Sequence, residues 1–394
     1  MLIRKFSLNA LRWGAVMSLA LAIVSCGTTS EKPVLPAPPP PKPSVVKPLP
    51  TKPVIKQEMP QTTKVGFVVP LSGSHAELGR ALQQSAQVAL FDMKKDGVEL
   101  VFADSQGTAE GAHKAAQEVI RKGAQMIIGP VFAEEVQAVK ALVSARKIPL
   151  LAFTTDKSMA DDNVFVLGFS PQEQIERVLK YAAFQGLIRV ALLIPSNPYG
   201  KLVEEATNHL EQQGLITIVA RESYASQDIG TPALTSKIEK IQAATPQALL
   251  VPEGGKSLMG LLPYLESYAL TSQSVQLLGS GQWDSSDVWK IQGLQGAWFA
   301  SPAPQLRQEF EEHYKSAFIS QSPRIAPLAY DAVALAAVLS TRGNFSPQAL
   351  EVKQGFSGID GIFRFKDHIA ERGLSILEVR EAQVVVRENA PDRF

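Results

Sequence analysis

From Lys64 onward the sequence alternates short β-branched runs with amphipathic segments. This alternation narrows the fold more than any other feature, because strands separated by helices pair into parallel sheets covered on both faces. The spacing predicts strands at Val65 to Val69, Leu100 to Ala103, Met126 to Ile128, Leu150 to Ala152, Val164 to Leu167, Val190 to Ile194, Ile216 to Ala220, Ala248 to Val251 and Val275 to Leu278. Between them, Leu78, Leu82, Ala86, Ala89 and Met93 recur at the three-to-four spacing of one helix face. Ser170-Pro171-Gln172-Glu173 reads as a capping box with proline at the first helical position, followed by the apolar stripe Ile175, Val178, Leu179 and Ala182. Asn197-Pro198 opens another helix and Gly214 supplies a left-handed stop.

About five strands precede Phe184 and a second set begins at Val190, so the chain is expected to make two similar α/β lobes. After Ala300 the order changes. Helical patterns over Gln305 to Phe318 and Pro327 to Arg342 follow one another, and Ile362 to Phe365, Ser375 to Val379 and Gln383 to Val386 close the chain as strands. Such an ending returns to both lobes. The expected division is 62–186 plus 302–352 for the first lobe and 187–301 plus 353–394 for the second, joined by several hinge crossings.

The first 61 residues have another character. Arg4, Lys5 and Arg12 precede an apolar run from Trp13 to Val24, too short to span a bilayer but suited to an export signal over 1–25. The run ends Ile23-Val24-Ser25-Cys26, which resembles the lipobox of lipoproteins, and Cys26 is the one cysteine of the chain. The resemblance implies diacylglycerol on Cys26, and Gly27 after it implies the outer membrane. Within the linker 26–61, the thirty residues from Glu31 to Pro60 hold eleven prolines, five lysines and two acids, a composition that favours extended polyproline II. At ~3.1 Å per residue such a spacer reaches up to roughly 100 Å.

Charge and composition exclude several classes. The 39 basic and 38 acidic residues become 36 and 38 without the first 25, a slightly negative balance that gives nucleic acid no basic surface. One cysteine excludes an intramolecular disulfide and a cysteine-based zinc cluster. His75, His113, His209, His313 and His368 are scattered and form no metal-binding spacing. Gly254-Gly255-Lys256-Ser257 lacks the first glycine of a P-loop, which Leu250 replaces. Gly355-Phe356-Ser357-Gly358 misses the nucleophile elbow by one residue, and the side chains of Asp161-Asp162 diverge. No cofactor, no metal and no catalytic role are expected.

In order along the chain, Pro70-Leu71-Ser72-Gly73 with Gly79, Gly129-Pro130, Tyr199-Gly200, Tyr330-Asp331-Ala332-Val333, and Gly361-Ile362-Phe363 with Phe365 resemble the type I periplasmic binding proteins, the leucine-isoleucine-valine-binding family in particular. The resemblance runs from about Lys64 to Val386. It implies two Rossmann-like lobes with parallel sheets joined by a multi-crossing hinge, and a ligand cleft at the carboxyl ends of the strands. In that family, helix-start amides and nearby hydroxyls hold an amino acid's carboxylate. The corresponding candidates are Ser72 and Ser74, Val131 and Phe132, and Thr154 and Thr155. One departure stands out: Ala133 occupies the place of the family's anchoring serine, and Glu134 follows it with a like charge, so common amino acids are expected to bind weakly in the usual geometry. On the second lobe, where the family offers an aromatic and an acid to the ammonium group, the candidates are Tyr199, Glu253, Gln282, Trp283 and Asp284.

Two functions follow from these readings. One resembles the binding-protein-like domain of the activators of penicillin-binding proteins, with a peptidoglycan synthase as partner and the lipid and proline spacer bridging two membranes. The other is a receptor that hands a small polar solute, an amino acid or relative, to an ABC importer.

Overall fold

The structure, a computed structural model, describes residues 62–93 and 97–394. Cys26, the signal segment 1–25 and the linker 26–61 lie outside the described residues. Among the described residues no helix is long and apolar enough to cross a membrane.

The first half of the chain supplies β1 (Thr63–Val69), α1 (Ala76–Met93), β2 (Val98–Asp104), α2 (Ala109–Arg121), β3 (Met126–Ile128), α3 (Ala133–Arg146), β4 (Leu150–Ala152) and β5 (Val164–Val166). A second series follows with α4 (Pro171–Phe184), β6 (Arg189–Pro195), α5 (Pro198–Gln212), β7 (Thr217–Tyr224), α6 (Pro232–Ala243), β8 (Ala248–Leu250), α7 (Gly255–Ser267), β9 (Gln276–Gly279), α8 (Ser286–Trp289) and β10 (Trp298–Ser301). The chain ends with α9 (Pro304–Phe318), α10 (Ala326–Thr341), α11 (Pro347–Leu350), β11 (Phe356–Gly358), β12 (Gly361–Lys366), β13 (Ile369–Arg372), β14 (Ser375–Arg380) and β15 (Gln383–Glu388).

Two sheets result. One has the order β11-β12-β13-β5-β4-β3-β1-β2 and the other β15-β14-β10-β9-β8-β6-β7. Within them β1 to β5, and β6 to β10, run parallel in the same relative order, so one topology is built twice. Helices cover both faces of each sheet, which is why β3, β4, β5 and β8 are buried along their whole length and read as unbroken apolar runs. Helix α10 is apolar nearly all round because it lies inside the first lobe, where Leu328, Ala332 and Leu335 join the core around Val65, Phe67 and Leu82. A close approach recurs in both lobes. A Cβ on Gly79 would lie 1.8 Å from the Pro70 carbonyl oxygen, and one on Gly200 would lie 1.8 Å from that of Pro195, so each helix starts against the turn that leaves the first strand only because glycine is there.

The nine strands expected before Gly279 are all present. The pattern gave no sign of β10, β11 or β13, which are three or four residues long and lie between irregular stretches. The capping box at the start of α4 is half formed: Ser170 accepts from the Glu173 N–H at 3.4 Å, but the Glu173 carboxylate accepts from the Arg372 N–H at 3.4 Å instead of turning back.

The lobe boundaries also differ from those expected. Helix α4, placed with the first lobe by the division at 186, packs Ile175, Val178 and Leu179 against Val190 and Leu192 of the second sheet. Residues 353–394, placed together in the second lobe, divide: β11, β12 and β13 extend the first sheet through the pairing of Ile369 with Val166, and only β14 and β15 join the second. An apolar stripe names the face of a helix that is buried, but not which sheet covers it. The chain therefore crosses between lobes three times, at 167–170, 302–303 and 373–374.

Glu173 sits at the first of these crossings and faces Lys157 of the first lobe at 4.0 Å. Burial pushes its carboxyl from 4.5 up to about 7, against the opposing pull of Lys157 and Arg372. The folded state therefore keeps a proton that the unfolded chain releases above about pH 4.5, so this contribution to stability is full at low pH and is lost as pH rises through about 7. Buried Asp331, also raised to about 7 by burial, adds an effect of the same sign. We expect urea unfolding at pH 5 and pH 8 to differ by about 1–3 kcal/mol on account of Glu173. Glu173→Gln should remove that share and leave the slope that Asp331 contributes over the same range.

Candidate functional site

In an open parallel sheet a ligand binds where neighbouring strands lead to helices on opposite faces, at the carboxyl ends of the strands. Here that point lies between β1 and β3 in the first lobe and between β6 and β8 in the second. The loops and helix starts that follow these four strands carry Ser72 and Ser74, Val131 and Phe132, Tyr199, and Glu253, so topology brings most of the candidates to the two switch points.

On the first lobe the loop amides are held by the protein's own carboxylates. Asp104 Oδ1 accepts from the N–H groups of Leu71 at 2.8 Å, Ser72 at 3.2 Å and Gln106 at 2.8 Å. Burial works against its charge, but the Ser72 hydroxyl and these amides outweigh that and hold the carboxyl below its usual range. After the cis Gly129-Pro130 bond, the N–H groups of Val131 and Phe132 donate to Glu135 Oε2 at 3.2 and 2.9 Å. The acid that turns to this loop is therefore Glu135, fully buried and raised by that burial, while Glu134 points outward and is exposed. The sequence pattern placed the interfering charge one residue too early, because it could not say which side of the first helical turn faces inward.

Among the candidates on this lobe, Ser72, Ser74 and Thr155 are exposed at the strand ends. Thr154 is buried, and its hydroxyl caps a turn by accepting from the Asp156 N–H at 3.1 Å. The Val131 side chain belongs to the hydrophobic core with Val69 and Ile128. The Phe132 ring lies 4.6 Å from the His75 ring, a pairing with no signal in the sequence.

The second lobe gathers a polar group around Glu253. Tyr224 donates its hydroxyl to Glu253 Oε2 at 2.5 Å, and the Gly254 N–H donates to Oε1 at 3.3 Å. Tyr199 donates to Ser280 Oγ at 2.9 Å, with exposed Gln282 beside it. Burial, followed by the nearby Glu253 charge, raises the Tyr199 hydroxyl despite its contacts with Ser280 and Gln282. Burial and Glu253 also raise that of Tyr224, so both phenols stay neutral donors. Among the described residues no lysine, arginine or histidine pairs with Glu253. Tyr224 and Ser280 were not singled out from the sequence; their position directly at a strand end was the available clue.

Two candidates have other roles. Trp283 is fully buried, and its Nε1 donates to the Glu253 carbonyl at 2.8 Å, so it supports the loop from beneath. Asp284 is buried and already paired with guanidinium groups. Arg307 Nη2 donates to its Oδ1 at 2.7 Å, Arg307 Nη1 and Arg324 Nε donate to its Oδ2, the latter at 3.2 Å, and Ser301 adds a hydroxyl at 2.5 Å. Burial opposes its charge, yet Arg324, Arg307 and Ser301 hold its carboxyl below the ordinary value. It has no capacity left for a ligand's ammonium group.

The fold matches known structures along nearly their whole length. A putative branched-chain amino acid ABC transporter protein from Rhodospirillum rubrum superposes with a TM-score of 0.74 at 19% identity, covering 82% of this chain and 99% of that one. The Leu/Ile/Val-binding protein BraC3 of Rhizobium johnstonii is 26% identical over 190 residues, 44% of this chain and 51% of its own. The penicillin-binding protein activator LpoA of Vibrio antiquarius is 20% identical over 160 residues, 39% of this chain and 26% of its own, so these alignments span about half and about a quarter of the two relatives. The periplasmic binding protein family model matches residues 62–383, which include the whole first sheet, the second sheet up to β14, and all three crossings. The chain belongs to the periplasmic binding protein family.

Proposed function

We propose that the chain is a non-catalytic receptor that captures a small polar solute, an amino acid or a relative, between its lobes and presents it to an ABC importer. The observation that carries this reading is Glu253, a half-buried carboxylate at the second switch point with tyrosine hydroxyls around it and no basic side chain paired to it among the described residues. A carboxylate so placed accepts from a ligand's ammonium or hydroxyl group. The near-complete structural match to a branched-chain amino acid transporter protein supports the same reading. The self-satisfied amides of Leu71, Ser72, Val131 and Phe132 favour a ligand whose donor end, not its carboxylate, contributes most of the recognition. Glu253→Gln should weaken solute binding about 10–100-fold, the equivalent of a lost charged hydrogen bond, with little change in unfolding free energy. Unaltered affinity in that variant would remove Glu253 from the site.

A second reading, docking on a peptidoglycan synthase, is favoured by the partial match to LpoA and by the lipobox-like sequence before Cys26. In both readings we propose a periplasmic location and a lipid anchor on Cys26. Gly27 favours the outer membrane.

A further inference from the structure

In a parallel sheet each connecting helix runs back along its strands, so α2 and α3 end on the edge where β1, β3 and β4 begin, opposite the cleft. Each ends on a doubled basic pair, Arg121-Lys122 and Arg146-Lys147, and all four residues are exposed. Arg121 and Arg146 line one open groove with Lys114 of α2. The Lys64 side chain, at the start of β1, lies 3.9 Å from where a Cβ on Gly123 would stand, so it joins the same face. The acids here are Glu110 and Glu118, paired with Lys114 and Lys122, and Glu99, the strand neighbour of Lys64. Among the described residues Lys64, Arg121, Arg146 and Lys147 form no ion pair with a carboxylate.

A helix macrodipole favours a cation in the last turn. Yet α5 and α6, which hold the same places in the second lobe, end on Gln212-Gln213 and Ala243-Ala244, so the dipole does not account for the basic pairs. Lys147 even takes a left-handed φ of 54°, where glycine is the usual residue. The chain also enters the fold at this face: β1 begins at Thr63, next to Lys64, and the segment carrying Cys26 precedes it.

We propose that this face docks on an anionic phospholipid surface, so that the first lobe stands on the bilayer with the cleft turned away from it. Cations gathered on one face act together within a Debye length of anionic headgroups, and a tether that ends at that face raises their local concentration at the lipid. Spread evenly over a chain whose 36 basic and 38 acidic residues nearly balance beyond residue 25, the same charges would not. The inference rests on the proposed lipid-anchored location and on neither choice of partner.

Residues 26–394 carrying Cys26→Ser, which take no acyl chain, are sedimented with vesicles of phosphatidylcholine alone or mixed with phosphatidylglycerol. The expected result is binding to the mixed vesicles and not to the neutral ones, weakened at least about tenfold between about 0.05 and 0.5 M salt. Arg121→Gln, Arg146→Gln and Lys147→Gln together should weaken binding about tenfold or more. Lys201→Gln, Lys256→Gln and Lys290→Gln together, which remove the same charge from exposed sites of the second lobe, should change it less than about twofold. Equal binding to both vesicle types, or equal losses in the two triple variants, overturns the proposal. So does retention on purified peptidoglycan sacculi, lost in the first triple variant, without vesicle binding. Palmitate labelling of the parent chain and of Cys26→Ala tests the lipid anchor separately, so a failure here is distinct from a failure of that reading.

Discussion

Replacing Asp284 by asparagine should lower the free energy of unfolding by about 3–5 kcal/mol, because the change removes the buried charge that faces the almost wholly buried guanidinium of Arg307 and one of the two carboxylates that hold Arg324. Both Arg307 and Arg324 lose their shared acceptor, and Arg307 is almost wholly buried with no other carboxylate closer than Glu311 at 3.4 Å. Asp287, three residues on, supplies the control: it is exposed and, among the described residues, pairs only with Lys290 at 3.4 Å, so Asp287→Asn should change stability by less than about 0.5 kcal/mol. Urea titrations of the two variants under one buffer give the comparison. If both variants unfold at the parental midpoint, the ion network at the lobe junction contributes nothing to the native state.

Trp283→Ala should cost a similar amount, about 3–5 kcal/mol, through a different cause. The indole is fully buried beside Phe299, with ring centres 6.4 Å apart, and a Cβ on Gly279 would lie 2.1 Å from it, so the side chain fills a space shaped by its neighbours. Its removal leaves a cavity and frees the Glu253 carbonyl from its Nε1 partner. A ligand-contacting tryptophan would behave otherwise, losing affinity at nearly unchanged stability. The measurement is therefore paired: the unfolding midpoint in denaturant, and solute affinity at a temperature where the variant is still folded.

The contrast between Trp283 and Glu253 illustrates what a sequence of this kind discloses. Buried parallel strands must be apolar on both faces, so Val65 to Val69 or Ala248 to Val251 stand out without knowledge of the fold. Strand ends also stand out, and with them the loops where a ligand would sit; the resemblance to the leucine-isoleucine-valine-binding family then points to Tyr199 and Glu253. The partners of Asp284 could not be named. Arg307 and Arg324 lie 23 and 40 residues away and reach it only because the chain crosses back to the first lobe after β10, a strand whose four residues give no periodic signal. For that reason Asp284 stands among the sequence candidates for a ligand's ammonium group. The same limit placed α4 on the wrong lobe and set the charge at Glu134 instead of Glu135, since in each case the pattern names a helix without naming its neighbours.

The receptor reading stands or falls on whether the cleft binds a solute. Titration calorimetry of the purified full chain against amino acids, small amines and polyols, with a bifunctional peptidoglycan synthase titrated in parallel, is the direct test. The account predicts a dissociation constant in the micromolar range for at least one solute, about −8 kcal/mol, weakened by Glu253→Gln, and no heat with the synthase. No heat from any of these solutes, together with saturable binding of the synthase, would contradict it.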